Sequence, residues 1–404
     1  MTITRNADNA LFETLKYYPV VVLTGARQTG KTTFLHSVLS NYTYVTLDLP
    51  SVASLAEENP LAFFKQYPPP VLIDEVQYAP SLFRHIKYMV DEQRHLMGQF
   101  VLTGSQKFSL MQNVSESLAG RAAILELEGL SWQESYDLPH INQQVYTIRG
   151  GFPELSRVPD LPLNMWFSSY VATYLERDVR QLLNVSSLRD FERFMRILAA
   201  RNGQQIDNAI ISRDLGISAK TVASWLSVLE TSGQVSILPS WHINMGKRVV
   251  KTAKVYFNDT GLLCWFLGVT ADNFSTSPFR GTIQETLIYS ELRKTIKNHN
   301  LNRQIYYYRD ANNLEVDFLV AGGDSLKIIE VKSSENPRPE DVRNLAEFAR
   351  LCAAANQPET QSVQAFVACN TSHTHPITVR SRDKSTEIRA TALDLPDIAA
   401  MIQR

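Results

Sequence analysis

Cysteine is scarce: Cys264, Cys352 and Cys369 are the only three in 404 residues, and they lie far apart. An odd, scattered set excludes a disulfide framework and the paired spacings of a structural zinc site, and it suits a reducing cytoplasm. No apolar run approaches the roughly 20 residues that span a bilayer, so no membrane partner is expected. The opening Met-Thr-Ile-Thr-Arg-Asn-Ala-Asp has no apolar segment of the kind a signal peptide carries. Nor is there a charge imbalance: the formal net charge is −1, so a nucleic-acid partner would have to be met by local basic patches. Internal repeats and low-complexity tracts are missing as well.

What is present begins at Gly25-Ala26-Arg27-Gln28-Thr29-Gly30-Lys31-Thr32, followed by Thr33. This is G-x-x-x-x-G-K-S/T directly after the apolar run Val20–Leu23. A strand that breaks into a Gly-bracketed loop and then a helix presents backbone N–H groups to phosphate. Lys31 would reach the β- and γ-phosphates, and the Thr32 hydroxyl would sit on Mg²⁺. Val71-Leu72-Ile73-Asp74-Glu75 supplies the complement, an apolar strand ending in two carboxylates. Asp74 is expected to hold Mg²⁺, and Glu75 to orient the attacking water. After Phe100–Leu102, Thr103 and Ser105 both compete as γ-phosphate sensors, with Ser105 favoured. In Ser117-Leu118-Ala119-Gly120-Arg121, Arg121 is a candidate arginine finger acting on a neighbouring subunit's ATP; Arg27 is the competitor. A finger in trans requires a homo-oligomer with ATP at the subunit interfaces.

Short apolar runs at Val20–Leu23, Tyr44–Leu47, Val71–Ile73 and Phe100–Leu102 alternate with helical patterns at Thr32–Leu39, Ser51–Phe64 and Ser81–Leu96. That alternation predicts an α/β domain on a parallel sheet. Helical patterns follow at Trp166–Leu183 and Leu188–Ala200. Ile211–Leu215, a turn at Gly216 and Ala219–Glu230 with Ser218 as N-cap then read as a helix-turn-helix. Val222, Trp225, Leu226 and Leu229 give its second helix one apolar face. Strands at Val235–Leu238 and Arg248–Phe257 would make the unit winged. A third region combines a helix near Thr282–Ile296, strands at Ile305–Tyr308, Leu314–Val320 and Leu326–Val331, a helix near Val342–Cys352, and a last strand at Ser362–Ala368. The expected domains are 1–135, 136–275 and 276–404.

G-A-R-Q-T-G-K-T, V-L-I-D-E-V-Q, L-T-G-S-Q and S-L-A-G-R resemble the AAA-type domain of the prokaryotic AAA family ATPases that carry a DUF4143 domain. Gly150-Gly151-Phe152-Pro153-Glu154, Tyr174-Leu175-Glu176-Arg177-Asp178 and Lys254-Val255-Tyr256-Phe257-Asn258-Asp259-Thr260-Gly261-Leu262 resemble that group's C-terminal half. Asn258 departs from the hydrophobic or aromatic residue expected there. The resemblance implies an AAA+ ATP hydrolase using ATP and Mg²⁺, without a physiological role.

A second constellation lies in Leu314-Glu315-Val316-Asp317-Phe318-Leu319-Val320 and Glu330-Val331-Lys332. Strand alternation puts Leu314, Val316, Phe318 and Val320 on one face and Asp317 on the other, with Glu330 and Lys332 sharing a face. Together with Glu285 (Glu291 is its rival on the same helix), the pattern resembles the PD-(D/E)xK nuclease superfamily, although Val316 stands where the Pro would be. Two carboxylates there would hold Mg²⁺ and activate water, and Lys332 would position it. Such a fold is separable from its activity.

The wing segment Trp241–Lys254 carries Lys247, Arg248, Lys251 and Lys254 and no acidic residue, which reads as phosphate contact with DNA. The recognition helix offers only Lys220. Three readings compete: an ATP-dependent DNA-processing enzyme, a nucleotide switch with an inactive nuclease fold, and a protein-remodelling ATPase.

Overall fold

The structure, a computed structural model, describes residues 3–104, 107–174, 188–241, 253–322, 325–355 and 362–404. Five strands, β1 (Val20–Thr24), β2 (Thr43–Thr46), β3 (Val71–Asp74), β4 (Phe100–Thr103) and β5 (Ala122–Glu126), form a parallel sheet in the order β2-β3-β4-β1-β5. β1, β3 and β4 are buried along their whole length because helices cover both faces. Val20, Val22, Val71 and Ile73 pack with Phe63, Phe83 and Ile86 on one side. Val21, Leu23 and Leu72 pack with Leu11, Phe34 and Leu35 on the other. β5, not anticipated as a strand, is the edge next to β1. The single helix expected over Ser51–Phe64 is two, Pro50–Glu58 and Pro60–Gln66. Pro60 has no N–H to continue the first, and the Asn59 side chain accepts from Ala62 N at 3.1 Å to start the second.

The middle region holds helices Leu163–Tyr174, Leu188–Ala200, Asn208–Leu215 and Ala219–Thr231. Gly216 caps the third in the left-handed conformation and Ser218 caps the fourth. Val222, Trp225, Leu226 and Leu229 face the core, as their spacing requires. β6 (Val235–Pro239) and β7 (Ala253–Phe257) form an antiparallel ribbon. The earlier part of the wing, with Lys247, Arg248 and Lys251, lies outside the described residues, as do Ser105 and the end of the helix expected over Trp166–Leu183.

The C-terminal region starts with the long helix Arg280–Asn298. Its sheet contains β8 (Gln304–Arg309), β9 (Glu315–Ala321), β10 (Leu326–Val331), β11 (Val363–Ala368), β12 (His375–Arg380) and β13 (Glu387–Leu393), ordered β12-β13-β11-β10-β9-β8. β11 is therefore not the last strand. β12 and β13 escaped the sequence reading because β12 is an edge strand buried on one side, where Pro376 is tolerated. β9 corrects another expectation. Tyr306 pairs with Leu319 and Tyr308 with Val316, so β9 advances three residues against two on β8. This bulge puts Phe318 and Val320 in one core, and Val316 with Leu314 in another. Among the described residues no helix is long and apolar enough to cross a membrane.

The long helix also ties the regions together. Glu291 Oε2 accepts from Trp132 N at 2.8 Å, and Glu291 Oε1 accepts from Tyr146 OH at 2.6 Å. Lys294 Nζ lies 3.1 Å from Glu291, with both side chains almost wholly buried. Arg293 reaches Glu128 at 2.7 Å and Lys297 reaches Glu126 at 2.9 Å. Glu291→Ala strands the Lys294 charge and two donors, so chemical denaturation should show a loss of about 3–5 kcal/mol, with Glu291→Gln costing less.

Candidate functional site

The first site stands at the C-terminal ends of β1, β3 and β4. Gly25 has φ 144°, and a Cβ on it would come within 2.2 Å of Leu127 O, so only glycine fits this turn. The loop then enters the helix Lys31–Val38, with Gly30 as its cap. Ala26 and Arg27 are half-buried, Gln28 and Thr33 exposed, and Thr29 buried. Lys31 is buried and folds over the loop, donating to Gly25 O at 3.1 Å and Ala26 O at 2.9 Å. Thr32 Oγ1 donates to Asp74 Oδ2 at 2.9 Å, joining loop and β3. Asp74 Oδ1 is buried with no hydrogen-bond partner. Burial pushes the Asp74 carboxyl above its usual value, against the opposing hydrogen bond from Thr32.

Glu75 adopts a left-handed conformation, φ 56°, and its Oε2 accepts from Gln77 Nε2. Gln77 packs so closely on Gly104 that a Cβ there would lie 2.1 Å from Gln77 Oε1. β4 is inserted between β1 and β3, which brings the buried Thr103 between the loop and Asp74, its hydroxyl unpartnered. Sequence reasoning missed Gln77, visible only as the last residue of V-L-I-D-E-V-Q. It also missed Tyr44, whose hydroxyl donates to Asp74 Oδ2 at 3.3 Å, and Arg5. Arg5 is buried and clamps the loop from outside, donating to Thr29 O at 2.9 Å, Glu128 O at 2.6 Å and Glu134 Oε1 at 3.1 Å. No local signal marks Arg5, because its partners are distant in sequence.

Arg121 sits at the opposite rim of the sheet. Ala122, its neighbour, pairs with Val20, the first residue of β1, whereas the loop follows Thr24. Its own nucleotide site is about a strand length away, roughly 16 Å. Arg121 is engaged by both Asp91 oxygens, at 2.7 and 2.8 Å.

The second cluster gathers residues from β7, β9, β10 and the long helix. Asp317 Oδ2 accepts from Val331 N at 2.8 Å. Glu330 Oε1 pairs with Lys332 Nζ at 2.8 Å, while Glu330 Oε2 is buried without a partner. Glu285 accepts from Tyr256 OH. Burial, and then the Asp317 charge, push Glu285 and Glu330 well above ordinary carboxylate values; burial also raises Asp317. Glu285 rather than Glu291 belongs to this cluster, since Glu291 is committed to Trp132, Tyr146 and Lys294. Lys254 requires a correction. It is 4 % exposed and pairs with Glu315 at 2.7 Å and Glu285 at 3.5 Å, so it is not a surface contact for DNA. Lys220 is exposed. Among the described residues no group of three or more His, Cys, Asp or Glu is arranged to hold a metal ion.

The two sites are connected. Gly233, leading into β6, lies against Ala26 of the loop, within 3.4 Å of a Cβ built on it, and β7 carries Lys254 at the other end of the ribbon.

Comparison with known proteins places these elements. Residues 17–136 match the model of an AAA domain, 142–273 a domain of unknown function (DUF8612), and 280–388 another domain of unknown function (DUF4143). Uncharacterized proteins of Mycobacterium tuberculosis and Mycobacterium bovis are each 30 % identical over 338 residues, covering 82 % of this chain and 74 % of theirs. Among solved structures, the Walker-type ATPase of Pyrococcus abyssi is 15 % identical with a TM-score of 0.46, covering 66 % of this chain and 96 % of that one.

If Asp74 supplies the metal contact, Asp74→Asn should leave nucleotide affinity in EDTA nearly unchanged. The gain in affinity on adding Mg²⁺ should fall on the order of tenfold or more, measured with a fluorescent ATP analogue.

Proposed function

Because the chain belongs to the prokaryotic AAA-type ATPases that carry a DUF4143 domain, we propose that it binds and hydrolyses Mg·ATP as a homo-oligomer. Hydrolysis would be coupled to engagement of DNA by its C-terminal half. The observation that carries the nucleotide reading is the Thr32–Asp74 contact at 2.9 Å beside the orphaned Asp74 Oδ1. A hydroxyl and a buried carboxylate oxygen lacking a donor fit Mg²⁺, a hard cation that takes few protein ligands and keeps waters and phosphate oxygens. When bound, Mg²⁺ would neutralise charge on the β- and γ-phosphates. Lys31 exchanges its two loop carbonyls for phosphate oxygens. Glu75, held by Gln77, orients the attacking water and takes its proton. Thr103 offers its unpartnered hydroxyl to the γ-phosphate.

Arg121 acts on the neighbouring subunit's ATP in this reading, exchanging Asp91 for the γ-phosphate. Coupling would run through two rigid connections. One is the β6–β7 ribbon from Ala26 to Lys254. The other is the helix Arg280–Asn298, which holds Glu285 in the cluster and Arg293 on Glu128. Glu285, Asp317, Glu330 and Lys332 would form a metal-dependent phosphodiester site. A second reading, a nucleotide switch with a silent nuclease fold, is favoured by Lys254 seated among these carboxylates.

Lys31→Ala and Glu75→Gln should each lower ATP turnover on the order of a hundredfold or more, Glu75→Gln retaining nucleotide binding. Wild-type turnover should rise with added DNA at low salt; no stimulation and no binding would refute DNA as the partner. Mixing Arg121→Ala with Glu75→Gln subunits should restore part of the activity that each lacks alone. Failure to do so, with mixed oligomers demonstrated, removes Arg121 as the finger.

A further inference from the structure

The most deeply buried cation of the carboxylate cluster is not the Lys332 that the E-x-K pattern marks. Lys254 enters from β7, and its side chain is 4 % exposed against 30 % for Lys332. Its ammonium lies 2.7 Å from Glu315 Oε1 and 3.5 Å from Glu285 Oε1, with the Tyr307 ring centre at 5.2 Å. Tyr256, two residues along the same strand, donates to Glu285. Lys254 also feels the charge of Asp317. One short segment of β7 thus fixes one side of the cluster, while Lys332 serves the other.

Four carboxylates meet here: Glu285, Glu315, Asp317 and Glu330. Among the described residues three cations face them: Lys254, Lys332 and, at the rim, Arg309, 3.5 Å from Glu315 Oε2. With all groups ionised the cluster is one positive charge short. Glu330 Oε2, on a residue 4 % exposed, is the atom left without a partner. Exchanging the single charge of Lys254 for a divalent cation would balance the set. Buried carboxylates demand a cation, and in this arrangement a lysine supplies it.

We propose that Lys254 is the resident counter-ion of this site, standing in for the divalent metal ion that Glu285, Asp317 and Glu330 take up when the site is loaded. Lys254 therefore determines how tightly that ion binds. The inference rests on the reading of Glu285, Asp317 and Glu330 as a metal-dependent phosphodiester site. In the structure Glu285 is held by Lys254 and Tyr256.

The test is Mn²⁺ binding without nucleotide, measured by the electron paramagnetic resonance of free Mn²⁺. An Asp74→Asn parent removes the P-loop contribution. Adding Lys254→Met should tighten one Mn²⁺ site on the order of tenfold or more, whereas Lys254→Arg, which keeps the charge, should not. Adding Glu330→Gln to the Lys254→Met protein should abolish the gain. Loss of a buried cation lowers stability, so thermal unfolding accompanies each titration. Mn²⁺ should raise the midpoint of the Lys254→Met protein more than that of its parent. If the Lys254→Met protein binds Mn²⁺ equally or more weakly while Glu330→Gln still removes binding, the role of Lys254 is overturned and the metal site stands. If no variant, including the parent, binds Mn²⁺ in a Glu330-dependent way, the metal-site reading falls and the inference with it.

Discussion

Asp74 ends a fully buried strand, and one of its oxygens has no donor among the described residues. A carboxylate in that position is tolerable only if a positive charge or a proton is supplied from outside. Much of the N-terminal region serves to hold that position. β4 is threaded between β1 and β3, so the loop and Asp74 are separated by one strand width, and Thr103 fills the gap. The Thr32 hydroxyl spans from the loop to the carboxylate, Tyr44 approaches it from β2, and Arg5 fixes the loop's outer carbonyl. These are the groups that Mg²⁺ and the phosphates would meet in the proposed function.

The C-terminal cluster faces the same difficulty and meets it differently. Its carboxylates are more buried than surface acids, yet lysines of the chain stand among them. Two of the parts that carry those charges, β7 and the long helix, are linked to the AAA domain. β7 is paired to β6, whose approach at Gly233 abuts Ala26. The helix bearing Glu285 is fastened by Glu291, Arg293 and Lys297 to the end of β5 and the segment that follows it. In the proposed function, a displacement of the loop on binding nucleotide would be delivered through these parts to the groups that set the charge balance of the second site.

The P-loop, the carboxylates after β3 and the helix-turn-helix face were legible because their information is local: spacing, period and capping within a few residues. The bulge in β9 was not, since it depends on how β8 pairs with it, and it divides the residues expected on one face between two cores. β12 and β13 have weak one-sided patterns that only their place in the sheet makes intelligible. Lys254 is the clearest case of local reading misdirected. Its basic neighbours in sequence suggested a solvent-facing wing, whereas strand register turns it inward onto Glu315 and Glu285. Arg5, Gln77 and Tyr44 act through long-range contacts that a single sequence does not display.

In the proposed function, nucleotide at the P-loop is felt at the carboxylate cluster through β6–β7 and the long helix. Hydrogen exchange of the Glu75→Gln protein with and without Mg·ATP tests it directly. Such coupling requires altered exchange at Val235–Pro239, Ala253–Phe257 and the Glu285 turn of the long helix, in addition to protection of the loop. Changes confined to the P-loop, β3 and β4, with the ribbon and the long helix unaltered, would contradict it.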